Sequence, residues 1–196
     1  MRARLLLLAT AGAVLLAGCA EPVSLGSDEL ACRNGEDTGP ANGVVLMAQA
    51  VDTASWVPCL DTIPLSWHLS DVQVRDGSGR FWLDSDRGGD RAIEVALTPT
   101  CRTRNATEIP SDRDGVRRLE QVSEVTPGYR GTRFYVFDGG CLTVHFQIAG
   151  DDRAEPLAVA TEGIDLLRRT DVEQHVNEET DGRLQLDPVP AEGGRP

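Results

Sequence analysis

Leu142-Thr143-Val144-His145-Phe146-Gln147-Ile148 is the stretch that decides the fold. Apolar and polar residues alternate without a break, which is the period-two signature of a strand with one face in a core. The spacing predicts Leu142, Val144, Phe146 and Ile148 inward, with Thr143, His145 and Gln147 on the opposite face. Just upstream, Asp138-Gly139-Gly140 turns the chain, and Phe134 and Val136 belong to a preceding strand.

The same period runs back to Leu65. Val72 and Val74 alternate with polar neighbours, and Asp76-Gly77-Ser78-Gly79 is a turn signal. Phe81 and Leu83 alternate with Trp82 and Asp84, Arg87-Gly88-Gly89-Asp90 turns again, and Ile93, Val95 and Leu97 resume the alternation. Strand, glycine turn, strand, glycine turn, strand is a β-meander. Arg102 to Gly115 is a polar interval, and 116–125, where Val116, Leu119, Val122 and Val125 recur every third position, is assigned as a strand. Thr126-Pro127-Gly128-Tyr129-Arg130-Gly131 is read as a loop.

Helical spacing flanks this region. Val44, Met47, Ala48 and Val51 share a helical face behind Asn42 as a cap, with a buried strand as the alternative; Trp56-Val57-Pro58-Cys59 ends the segment. Leu157, Ala160, Ile164 and Leu167 predict a C-terminal helix. Thr170 and Glu173 suit a capping box for a second helix carrying Val172 and Val176. The expectation is an α+β domain: an antiparallel sheet of about six strands in a meander, an N-terminal helix and C-terminal helices. The globular domain is expected over 32–186, with a disordered tail at 187–196.

The 196 residues include 31 acids, 19 basic residues that are all arginine, and a formal charge of −12. An acidic surface of this kind repels nucleic acid, so no nucleic-acid partner is expected. Beyond Cys19, the cysteines are Cys32, Cys59, Cys101 and Cys141, an even set that predicts two disulfides. Cys32 and Cys59 flank the N-terminal helix, while Cys101 ends one strand and Cys141 begins another. The expected bonds are therefore Cys32–Cys59 and Cys101–Cys141. No pair has zinc-knuckle spacing, and no metal or cofactor is expected.

At the N-terminus, Arg2 and Arg4 precede an apolar run from Leu5 to Leu16, and Leu16-Ala17-Gly18-Cys19 closes it. This arrangement resembles the lipobox of bacterial lipoproteins. The resemblance implies a signal peptide over 1–18, cleavage before Cys19, a diacylglyceryl thioether on Cys19, and acylation of the new amino terminus. It places the protein at the cell membrane, anchored by lipid on the extracytoplasmic face. Loss of Arg2 and Arg4 with the signal would take the formal charge from −12 to −14. Residues 19–31, with Pro22 and Gly26, read as the lipidated tether. The body, including Phe81-Trp82-Leu83-Asp84-Ser85-Asp86-Arg87 and Tyr135-Val136-Phe137-Asp138-Gly139-Gly140-Cys141, is similar to membrane-anchored lipoproteins of actinobacteria, a resemblance that brings no activity or ligand with it.

Candidate chemistry is sparse. Gly77-Ser78-Gly79 lacks the strand-to-helix setting of a nucleophile elbow, and His68, His145 and His175 lie in segments of different type. Asp84, Asp86 and Asp90 crowd one turn, but the calcium-loop pattern fails at Gly88, so turn chemistry is the plainer reading. Trp82 falls on the sheet face opposite Phe81 and Leu83, where the 157–167 helix is the expected cover. On a loop read over Pro127–Arg133, Tyr129, Arg130 and Arg133 unite an aromatic face with planar donors and form the candidate site for an anionic ligand, against a plain strand connection whose arginines pair with surplus acids. The leading expectation is a non-enzymatic binding or accessory domain for an envelope protein or small anionic ligand. An envelope hydrolase and a structural subunit of a membrane complex are the alternatives.

Overall fold

The computed structural model describes residues 27–32, 42–149 and 154–189. Cys19, the signal segment 1–18, the first part of the tether and the tail from 190 lie outside the described residues. In chain order the elements are a 3-10 turn at Ser27–Leu30, α1 (Gly43–Ala50), β1 (Trp56–Leu60), β2 (Trp67–Arg75), β3 (Ser78–Ser85), β4 (Gly89–Thr98), β5 (Thr107–Ile109), β6 (Arg117–Glu124), β7 (Tyr129–Phe137), β8 (Gly140–Ile148), α2 (Ala154–Glu162), β9 (Ile164–Arg168) and α3 (Arg169–Glu179).

The main sheet is antiparallel and has seven strands in the order β2-β3-β4-β8-β7-β6-β5. It is two meanders joined side by side, where one run of about six strands was expected. The first, β2–β3–β4, turns through Gly77, whose φ of 73° suits glycine. The second runs β5–β6–β7–β8 and closes against the first. Its last strand pairs with β4 through Ile93↔Phe146, Val95↔Val144 and Leu97↔Leu142. The two most apolar strands thus take the centre, where each inward side chain meets another across the ladder. The additional strand is β5, hidden in the polar interval 102–115.

Leu142, Val144, Phe146 and Ile148 are all buried, and His145 and Gln147 are exposed, as the alternation predicts. Thr143 departs from the pattern: it is buried beside its register partner Phe134. Helix α1 lies on the inward face and buries Val44, Met47 and Ala48; Asn42 Oδ1 caps it by accepting the Val45 N–H at 3.0 Å. Gly79 lets it sit close, because a Cβ there would run into the Met47 side chain.

The C-terminal segment corrects the expected helix over 157–167. Helix α2 stops at Glu162, and Ile164–Arg168 is a strand paired antiparallel with β1, from Leu60↔Ile164 to Trp56↔Arg168. Gly163 is the break: the Asp61 N–H donates to its carbonyl at 2.9 Å, and a side chain there would strike the Thr62 carbonyl. Helix α3 starts at Arg169 behind Arg168 with no side-chain cap bond, so the Thr170–Glu173 capping box does not form; Val172 and Val176 are buried as read. Arg169 is buried and donates to the Ala48 and Asp187 carbonyls, which supplies an orphan acceptor at the C-terminal turn of α1. Burial lowers the Arg169 guanidinium from its ordinary value, against the opposing pull of Asp52, Glu173 and Asp187.

The domain edges also shift. Leu30, placed in the tether by sequence, is fully buried, and Ala31 bridges Leu60. Asp187, placed in the tail, is held at its N–H by Gln49 Oε1 at 3.0 Å and at its carbonyl by Arg169. The disulfides are Cys32–Cys59 and Cys101–Cys141. The second ties the β4–β5 crossover to the outer sheet face, over a small cluster of Leu119, Phe134 and Cys141. Among the described residues no helix is long and apolar enough to cross a membrane.

Candidate functional site

Register places the site. Along β7 the odd positions face the helices: Arg133 is opposite Val144, and Tyr135 is opposite Leu142. One strand further out, Glu120 is opposite Arg133 and Arg118 is opposite Tyr135. The inward face therefore turns from hydrocarbon to ionic groups within two strand spacings of β8. Loop 110–116 and the α2–β9 segment wall this end, leaving a pocket of about 440 Å³. Arg113, Arg118 and Arg133 line it, with Tyr135, Thr161 and Asp165.

The three guanidinium groups differ in how they are satisfied. The Arg133 side chain is 11% exposed and pairs with Glu120 Oε2 through Nε at 2.8 Å and Nη2 at 2.7 Å. Its Nη1 donates to Thr161 Oγ1 at 3.2 Å, and Tyr135 lines the pocket beside it. Burial works against the Arg133 charge, but Tyr135 and Glu120 outweigh it and hold the group above its ordinary value. Arg113 spans from its loop to β9, donating to the Leu166 carbonyl at 3.0 Å and pairing with Asp165. It also lies over the Trp56 ring, 5.8 Å from the centroid.

Arg118 is the exception. It is half-buried, its Nε is buried, and that atom has no hydrogen-bond acceptor among the described residues. An unpartnered buried donor costs about 1–3 kcal/mol, so a guanidinium in this state is a ready receptor for an anion. Thr161 donates to the Leu157 carbonyl at 2.8 Å, which commits its hydroxyl proton to the helix. The lining thus suits binding better than nucleophilic attack.

The sequence candidates separate. Tyr129, Arg130 and Arg133 lie on a strand, where sequence placed all three in a loop. The three-residue step from Arg130 to Arg133 sends their side chains to opposite sheet faces. Arg133 enters the pocket. Arg130 lines a shallow groove of about 470 Å³ on the outer face and pairs with Glu124 at 3.5 Å. Tyr129 stacks on Phe146 with ring centroids 5.1 Å apart. Burial and then Glu120 raise its phenol above the ordinary value, opposed by Arg133.

The outer groove also holds Trp82, His145 and Thr132. Trp82 is not covered by a C-terminal helix, since the helices pack on the other face. Its Nε1 donates to Glu94 Oε2 at 3.1 Å, and Arg91 lies 4.9 Å above the ring. Asp84 has a turn role, accepting the Arg91 N–H at 2.7 Å, and among the described residues no three His, Cys, Asp or Glu side chains gather as for a metal.

Sequence reading missed Arg113, Arg118, Glu120, Thr161 and Asp165. The signal for two of them was present: Arg118 and Glu120 are two apart on a segment already assigned as a strand, so they share a face. The remaining three arrive from loop 110–116, α2 and β9, which only the tertiary fold brings together.

No family model matches the chain, and no curated protein matches it. Among solved structures it is similar to a crystal structure from Bacteroides thetaiotaomicron VPI-5482, at 9% identity and a TM-score of 0.32, over 58% of this chain and 46% of that one. The chain thus spans about half the length of that structure.

Proposed function

We propose that this protein is a lipid-anchored, extracytoplasmic binding domain that holds an anionic ligand in its arginine pocket. Anchoring at Cys19 rests on the resemblance of Leu16-Ala17-Gly18-Cys19 to a lipobox, and disulfide use agrees with an oxidising compartment. The observation that carries the binding role is Arg118, a guanidinium with a buried, unpartnered Nε in a walled pocket. Arg133 and Arg113 already have counter-ions, so Arg118 offers the unspent positive charge. Acyl chains added at Cys19 would hold the domain at the membrane surface, where two chains give stable attachment and one is marginal.

Fractionation of cells expressing Cys19→Ala tests the anchor: the variant should leave the membrane fraction, and unchanged membrane retention counts against the lipid. Calorimetric titration of the full chain with the monoanions acetate and propionate tests the pocket. Arg118→Met should abolish the binding heat while leaving the thermal midpoint in place; equal heats for both proteins would remove Arg118 from the site.

A hydrolase is the second reading, favoured by Thr132 Oγ1 and His145 Nδ1 lying 2.9 Å apart beside Glu94 in the outer groove. It requires Thr132→Val to eliminate a measurable turnover of an ester substrate.

A further inference from the structure

We infer that the pocket's ligand is a zwitterion of the amino-acid or short-peptide class, with its carboxylate on Arg118 and its ammonium group at the Asp112–Glu162 rim. This rests on the anion-binding reading above and names the ligand's other end. Six charged side chains line the pocket, three arginines and three acids. Arg113 is matched by Asp165, and Arg133 by Glu120 from the neighbouring strand. What is left is one positive group, Arg118, and two negative groups, Asp112 and Glu162, none with an ion pair among the described residues.

These leftovers are arranged by depth. Arg118 is half-buried on the sheet, whereas Asp112 and Glu162 are exposed, one on the β5–β6 loop and the other at the end of α2. A ligand entering between them passes two carboxylates before it reaches the guanidinium. A dianion is repelled at that rim, and a simple cation finds nothing to hold its inner end. A molecule with an anionic head and a cationic tail matches both ends. The buried Leu142 and Leu166 side chains add apolar surface to the lining, which suits a small hydrocarbon side chain. The volume of about 440 Å³ lies toward the lower part of the small-molecule range and fits an amino acid or dipeptide better than a polymer.

The test is calorimetric titration of the full chain with four probes: L-Ala-L-Ala, its N-acetyl form, its C-terminal amide, and succinate. L-Ala-L-Ala should bind at least about tenfold more tightly than each of the others. Asp112→Asn combined with Glu162→Gln should reduce its advantage over the N-acetyl form to within about twofold, and the thermal midpoint should hold because both residues are exposed. N-acetyl-Ala-Ala or succinate binding as tightly as L-Ala-L-Ala overturns the zwitterion and leaves the anion pocket standing. The amide binding as tightly as L-Ala-L-Ala overturns both, since the carboxylate would then be idle, and so does absence of heat with all four probes.

Discussion

Val144 and Arg133 are register partners on adjacent strands, face the same side of the sheet, and are buried by opposite means. Val144 is 1% exposed and sits among Val95, Leu97 and Leu142, gaining from contact with any apolar neighbour. Arg133 needs Glu120, Tyr135 and Thr161 at defined positions before its charge can leave water. Arg118 lies diagonally beyond it on β6 and has no such set. The difference separates a guanidinium that the fold satisfies internally from one whose Nε it leaves unpartnered among the described residues.

Four measurements bear on that contrast. Val144→Asp should cost the most, about 3–5 kcal/mol, because it buries a charge with no partner. His145→Asp, one residue on, should cost less than about 1 kcal/mol. Denaturant midpoints compare the two, and equal losses would mean that the faces are misassigned. Arg133→Met comes next: it strands the Glu120 carboxylate and should cost about 2–3 kcal/mol by the same assay. Arg118→Met should be neutral or stabilise by up to about 1 kcal/mol, since it removes an unsatisfied donor without abandoning a partner. A loss as large as that of Arg133→Met would show that Arg118 is a structural ion after all.

The smallest effect concerns pH. The Tyr129 phenol is raised above 10.0, so the folded chain holds that proton more tightly than the unfolded chain. The resulting stability is complete below pH 10.0 and is lost as pH climbs through the folded-state value. Tyr129→Phe should flatten the alkaline fall in a melting series; an unchanged slope would assign that fall to other groups.

The central strands were legible in the sequence because their two faces meet different surroundings. Core on one side and solvent on the other write a period of two into Leu142–Ile148 and Ile93–Leu97. The two cysteine pairings followed from their places at the ends of elements. Strand β9 was not legible, since Leu157, Ala160, Ile164 and Leu167 fit a helix on spacing alone. Its strand form depends on β1, about a hundred residues away, and on the Thr62 carbonyl against Gly163. The start of β7 was hidden by Pro127 and Gly128, which read as turn chemistry. That masking placed Tyr129, Arg130 and Arg133 in a loop and obscured the strand parity that divides Arg130 from Arg133. The pocket was illegible for a related reason, because α2 and β9 wall it and β9 is placed by its non-local pairing with β1.

The Cys32–Cys59 bond has a mechanical side. Tension that reaches Cys32 crosses the sulfur bridge to Cys59 without running along the backbone of the loop between them, which includes α1. Cys59 is the register partner of Asp165, and Asp165 holds Arg113 at the pocket wall. A pull transmitted through Cys32 thus arrives at the pocket wall after one covalent link and one pair of strands. The backbone of α1 lies outside that covalent path, and the arginine pocket stands in its line.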